Sequence, residues 1–227
     1  RHSPPFYIIN NNQMSGLDYE LAKAIFNKAG ITVKYDTKNP VFWKEILTQI
    51  ESGEKDVIGE ATDTKERENW ALFSKAYRLD SQSVVTKSAQ SNSFTNAVEF
   101  IKFIKMNKDL KIGIVDGVVY NSKEINDLIK NPGSTILITK NSHEQLMELL
   151  SSNIVDYIII DTLLANQELA NMNTVNNFNI ININSTMPLH FMFSKKTVTQ
   201  DTVDKVNLAI DASTKEIEDI MKKYYTY

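Results

Sequence analysis

Glu60-Ala61-Thr62-Asp63-Thr64-Lys65-Glu66-Arg67 follows the short apolar run Asp56-Val57-Ile58-Gly59 and leads into Glu68-Asn69-Trp70-Ala71-Leu72-Phe73-Ser74-Lys75-Ala76-Tyr77. Read as strand, loop and helix start, this stretch puts hydroxyls and one arginine at the end of a strand. A guanidinium offers a planar fork of donors that matches a carboxylate, and N–H groups at a helix start add to it. An arginine after a strand is more often a solvated surface residue. Both readings stand until the flanking chain is considered.

Upstream, Leu21, Ala22, Ile25, Phe26 and Ala29 recur at helical spacing, so a helix is expected from Asp18 to Ala29, with Asp18 as its N-cap and Gly30 as its stop. Ile31 to Tyr35 alternates like a strand, and Trp43, Ile46, Leu47 and Ile50 mark a helix over Phe42 to Ser52, ended by Gly53. Asn10-Asn11-Asn12 reads as a hairpin-like loop. Downstream, Ser83 to Lys87 is a strand leaving this first unit, and the polar stretch Ser88 to Asn96 is a loop.

A second alternating series follows. Helices are expected at Phe94 to Met106, Tyr120 to Lys130, Ser142 to Ser152 and Leu163 to Ala170. Strands are expected at Lys111 to Val115, Ile136 to Ile138 and Tyr157 to Ile160. Ser142 with Gln145 three residues later has the form of a capping box. After the asparagine-rich segment Asn171 to Asn177, Phe178 to Ile183 and Leu189 to Phe193 are strand candidates with Met187-Pro188 between them. The tail from Asp201 to Tyr225 reads as helix on Val203, Val206, Leu208, Ile210, Ile217, Ile220 and Met221. Alternation of helix and strand favours α/β architecture with a largely parallel sheet, in two units of about 100 residues each.

Composition narrows the function classes. With 227 residues, 42% apolar and 23% charged, the chain is globular and long enough to bury substantial cores. A formal charge of -3 and the absence of a basic stripe argue against a nucleic-acid partner. No cysteine is present, which removes disulfides and thiolate chemistry. No apolar run reaches the ~18 residues of a membrane span, and Arg1-His2-Ser3-Pro4-Pro5 contains no signal-peptide core, so any targeting segment lies outside these residues. His2, His143 and His190 have no partner at metal spacing. There is no Walker sequence, dinucleotide GxGxxG or GxSxG elbow, so neither a cofactor nor a metal is expected.

In open parallel sheets, ligands sit at the carboxyl ends of strands. The polar residues there are Thr62, Asp63, Thr64 and Arg67 in the first unit, and Asp116-Gly117-Val118-Val119 and Asp161-Thr162 in the second. A cation in one unit and a carboxylate in the other complement a zwitterion. Asp161 has an equally ordinary reading as a helix N-cap, and Gly117 as a simple turn. Glu60, Asp63 and Glu66 read either as a metal cluster or as acids that flank Arg67 electrostatically or face solvent.

The chain resembles the family 3 solute-binding proteins, the type II periplasmic binding fold of amino-acid ABC importers, which also serves as a Venus-flytrap sensor domain. The resemblance runs nearly end to end, through Pro4-Pro5-Phe6, Gly16-Leu17-Asp18, the Trp43 helix with Ser52-Gly53, Thr64 to Arg67, Phe73-Ser74 with Tyr77, Gly113 with Gly117, Asp156 to Asp161, and Lys222-Lys223-Tyr224. It implies two lobes with a ligand cleft between them: residues 1–79 with 188–227, and residues 80–187, hinged near 77–81 and 185–189. It implies that Arg67 grips a ligand α-carboxylate, Asp161 takes the α-ammonium and Thr62 bonds the ligand. Phe6 and Trp43 match pocket-wall aromatics, with plain packing as their alternative role. The family's hydroxyls after Gly117 are replaced here by Val118 and Val119, leaving only backbone N–H groups. Glu60 stands where a small residue is usual, either favouring a cationic ligand or pointing outward. The family's first strand, before Pro-Pro-Phe, is absent from these residues.

The resemblance therefore implies a non-catalytic, monomeric, periplasmic or otherwise extracytoplasmic protein that captures a small solute, an α-amino acid above all. Its partner is the membrane permease of an ABC importer or the remainder of a signalling receptor. An enzyme of the cyclohexadienyl-dehydratase kind is a third reading, and would need a poised acid such as Glu60 or Asp161.

Overall fold

In the computed structural model, residues 3–11, 13–37, 41–89, 92, 94–171 and 177–225 are described. The fold class is α/β, and the chain divides into two compact units, Arg1–Leu79 with Pro188–Tyr227, and Asp80–Met187.

The first unit begins with a hairpin, β1 (Ile8–Asn10) against β2 (Gln13–Ser15), turning through Asn11 in the left-handed region. Of the expected loop, Asn12 lies outside the described residues. Helix α1 (Leu17–Lys28) buries Leu17, Leu21, Ala22, Ile25 and Phe26. Its cap differs from the expectation. The first N–H groups are taken by backbone carbonyls, Leu17 by Pro5 and both Asp18 and Tyr19 by Phe6. Asp18 is therefore released from capping and lies fully buried inside the first turn.

Gly16 makes this entry possible: φ is +107°, and a Cβ there would sit 2.5 Å from the Phe6 carbonyl oxygen. Gly16→Ala is expected to destabilise the first unit by about 2 kcal/mol or more, read as a lower denaturant midpoint, because strain and a backbone clash combine.

Residues 31–37 form no strand, although their burial alternates as the sequence suggested. Alternation describes side chains, whereas a strand also needs a neighbouring backbone to pair with. Helix α2 (Trp43–Ser52) buries Trp43, Ile46 and Ile50 and stops at Gly53. β3 (Val57–Ala61) pairs antiparallel with β8 (Phe178–Ser194), through Val57↔Phe193, Ile58↔Met192 and Ala61↔His190, with a register irregularity between Ile58 and Ala61. β4 (Ala71–Lys87) and β8 are 17-residue strands that each pass from one unit to the other. The two strands expected around Met187-Pro188 are thus one strand. Phe26 and Tyr77 meet Phe191, at centroid distances of 4.9 and 4.3 Å.

The expected single C-terminal helix is two, α7 (Gln200–Ala212) and α8 (Thr214–Tyr225), both packed on α1. Ser213 leaves helical geometry at φ -108°, and its carbonyl accepts the Ile217 N–H that restarts the helix. Val203, Val206, Ile210, Ile217 and Ile220 stay in phase across the break and are buried, so periodicity could not reveal it. Leu208, counted with that face, is 69% exposed.

In the second unit, β5 (Lys111–Val115) is flanked by parallel partners, β6 (Ile136–Lys140) and β7 (Tyr157–Asp161). β7 also pairs antiparallel with the second half of β4, from Gln82↔Asp161 to Thr86↔Tyr157. The expected parallel sheet therefore holds only for β5, β6 and β7, while β4 here and the β3/β8 pair in the first unit are antiparallel. Strands joined by crossover helices must run parallel, but β4 and β8 enter from the other unit and are not so bound.

Helices α3 (Ala97–Met106) and α4 (Lys123–Lys130) start later than expected, at the N-caps Asn96 and Ser122. α5 (His143–Ser151) has the expected cap: Ser142 Oγ accepts the Gln145 N–H, and Gln145 Oε1 accepts the Asn141 N–H. α6 (Thr162–Asn171) follows β7 directly. Phe94, Phe100, Ile104, Ile112, Ile125, Leu128, Tyr157 and Ile159 form the buried core of this unit. Among the described residues, no helix is long and apolar enough to cross a membrane.

Candidate functional site

In the first unit the candidate residues gather where β3 ends. Thr62 to Lys65 form a loop, and Arg67–Asn69 a single 3-10 turn. Thr64 Oγ1 accepts the Arg67 N–H at 3.3 Å, and the Thr64 carbonyl accepts the Glu68 N–H at 2.9 Å, which fixes the turn. Arg67 then reaches back: Nη1 donates to the Thr62 carbonyl at 3.0 Å, and the guanidinium stands 5.8 Å from the Trp43 ring centroid.

Arg67 is only 6% exposed, so it is not the solvated surface cation that base rates favoured. Burial holds its pKa below the usual guanidinium value, opposed by nearby Glu66, and the group still carries its charge at neutral pH. A desolvated, oriented guanidinium is what a carboxylate anchor requires.

Glu60 turns inward, with its side chain 8% exposed. It adopts φ +59°, its N–H is bonded to the Tyr77 hydroxyl at 2.9 Å, and its carboxylate lies 3.9 Å from Arg78 Nη2. Glu60, Asp63 and Glu66 do not converge: Asp63 and Glu66 are exposed while Glu60 is not, and among the described residues no cluster of three or more His, Asp or Glu is placed to hold a metal ion. Burial and the neighbouring Glu68 raise the Asp63 pKa.

Sequence reasoning missed the buried ion pair behind this site. Asp18 accepts from Arg78 Nε at 2.9 Å and Nη2 at 2.7 Å, and from the Tyr77 hydroxyl at 2.6 Å. Both charged side chains are essentially inaccessible, at 0% and 1% exposure. Burial first, then Asp18, raises the Tyr77 pKa, so the phenol stays a donor. The Arg78 guanidinium also lies 4.9 Å from the Phe6 ring. The signal was present: Asp18 falls on the same helical stripe as Leu21, Ala22 and Ile25, where a carboxylate needs a buried partner.

In the second unit, Asp161 ends β7, and its Oδ1 accepts the Leu164 N–H at 2.8 Å, so it does cap α6. Thr162 Oγ1 lies 2.8 Å from Ser83 Oγ. Gly117, at φ +76°, turns the chain after β5. Val118 packs against the core and its N–H points to the Val115 carbonyl at 3.5 Å, while Val119 is half-buried. This segment is held from below: the Tyr120 hydroxyl accepts the Val115 N–H, and the Asn126 side chain bonds both the N–H and the carbonyl of Tyr120.

Comparison with known proteins finds several of similar fold. Similar solved structures include an ancestral arginine-binding protein bound to arginine, with 23% identity, TM-score 0.79, covering 98% of this chain and 94% of that one. The arginine-, lysine-, histidine-binding protein ArtJ from Geobacillus stearothermophilus has 20% identity and TM-score 0.77, with 99% and 92% covered. An ancestral amino-acid-binding protein, described as a precursor of cyclohexadienyl dehydratase, has 18% identity and TM-score 0.78, with 99% and 92% covered. A search of curated proteins found no match. The sequence pattern of one family matches residues 1–227 throughout, and the chain belongs to that family, the bacterial extracellular solute-binding proteins, family 3.

Proposed function

We propose that this solute-binding protein captures an α-amino acid outside the cytoplasm and delivers it to an ABC importer, without chemical conversion. Support comes first from Arg67, a buried guanidinium oriented by the Thr62 carbonyl and Trp43 at the end of a strand. In this reading Arg67 takes the α-carboxylate, Thr62 adds a polar contact, and Trp43 and Phe6 supply apolar wall. Asp161 takes the α-ammonium. Capping α6 does not preclude this, since a carboxylate offers about four acceptor sites. Backbone N–H groups near Gly117 and Val119 serve the carboxylate from the second unit. The boundaries at Leu79/Asp80 and Met187/Pro188 are where we place the hinge. Several similar structures are described as amino-acid-binding proteins, which supports the same ligand class.

A thermal-shift screen over the amino acids, keto acids and polyamines tests this. A ligand at 100 times its dissociation constant is expected to add about 2.7 kcal/mol of stability. A screen in which no α-amino acid raises the midpoint overturns the proposal. Consumption of prephenate or arogenate would favour the dehydratase reading instead.

A further inference from the structure

We propose that Gln82 is a positioning residue for the second unit's share of the binding site, holding the loop after β5 in place at the level of Asp161. This rests on the α-amino-acid reading and names what shapes that half of the site. Val118 and Val119 carry no polar side-chain atoms, so the polar contribution of this loop to a ligand is its backbone. Backbone donors serve a ligand well only where the chain path is held rigidly.

The loop is fastened at both ends. At its start, the Asp116 N–H donates to the Lys140 carbonyl at 2.9 Å. At its end, the Asn121 N–H donates to Gln82 Oε1 at 2.8 Å. Gln82 is 4% exposed and lies on the part of β4 that pairs with β7, where its register partner is Asp161. Burial alone would be served by an apolar side chain of similar length, whereas a buried amide is costly unless it is bonded. The Asn121 side chain extends the tie: Nδ2 donates to the carbonyls of Asp80 at 3.4 Å and Ser185 at 3.3 Å, on the two strands that connect the units.

Ser83, next along β4, faces the other side of the sheet, as successive strand residues do. It is fully buried, and its Oγ meets Thr162 Oγ1 at the start of α6. Consecutive β4 residues thus fasten the two segments that leave β5 and β7. Gln82 holds the loop 116–121, and Ser83 holds the residue after Asp161. Backbone pairing sets the β4/β7 register but does not reach the loop; the Gln82 side chain does.

The test uses the full chain and the standard L-amino acids as probes, with those that raise the wild-type melting midpoint carried into calorimetric titration. Gln82→Met keeps the length but removes the acceptor, and is expected to weaken binding by about tenfold or more, the effect of stranding one partly buried N–H. Hydrogen exchange read by mass spectrometry separates positioning from plain stability. In ligand-free Gln82→Met, amides of residues 116–121 are expected to exchange faster while those of β5 and β7 stay protected. Ser83→Ala, the control on the opposite face, is expected to leave exchange in 116–121 unchanged. Gln82→Asn withdraws the acceptor while keeping a buried amide, and gives the same readouts if Gln82→Met does not fold in thermal melts. Wild-type affinity in the folded variant, unchanged exchange in 116–121, or equal loosening of that loop by Ser83→Ala overturns the inference while the amino-acid reading stands. If no amino acid stabilises the wild type, both fail.

Discussion

Arg78→Met lowers the unfolding free energy by about 3–5 kcal/mol, the expected cost of removing one partner from a buried ion pair. The charged side chains of Arg78 and Asp18 are 1% and 0% exposed, so the substitution leaves a carboxylate that water cannot easily reach. Glu60 loses its neighbouring cation in the same step. Methionine keeps much of the volume over the Phe6 ring, so the loss measures charge rather than a cavity. Equilibrium denaturation by urea or guanidinium measures it directly. Combining Arg78→Met with Asp18→Asn is expected to cost less than the sum of the single changes, because the double variant strands less charge. A loss below about 1 kcal/mol for Arg78→Met would place the pair among weak, solvent-screened bridges and contradict the burial described here.

Arg67→Ala is expected to abolish ligand-induced stabilisation. Under the proposed role, the guanidinium supplies charge-assisted bonds to the ligand carboxylate, and removing it strands that carboxylate in a desolvated place, a loss of roughly 2–5 kcal/mol. That corresponds to a dissociation constant raised about 30-fold to several thousandfold. The unliganded protein should change far less, since the substitution removes a hydrogen bond to the Thr62 carbonyl and contact with Trp43. Arg67→Lys keeps the charge but not the planar fork and should recover only part of the affinity. Calorimetry on the two variants with whichever amino acid stabilises the wild type makes the comparison. Unchanged affinity in Arg67→Ala would show that the carboxylate is held elsewhere.

Much of the secondary structure was legible because apolar periodicity carries it. α1 and α2 show their buried stripes, β7 is a short apolar run, and the Ser142/Gln145 cap names the start of α5. The failures have a shared cause. Residues 31–37 alternate correctly but form no strand, since pairing depends on where another backbone lies. The α7/α8 break keeps the apolar phase, and β8 continues through Pro188 where a sequence reading stops it. Acids favour helix starts, which makes Asp18 a natural cap candidate, yet Pro5 and Phe6 carbonyls supply the cap through the chain path at Gly16.

By itself, the sequence determined the α/β class, the family and the position of Arg67 just past a strand, because composition, period and motif order are local properties. Only the tertiary structure decided that Arg67 is buried against Trp43, that Asp18 belongs to Arg78, and that the Glu60 carboxylate turns inward. Those outcomes depend on which distant groups share a desolvated space, and desolvation is what turns an ordinary charge into a structural partner.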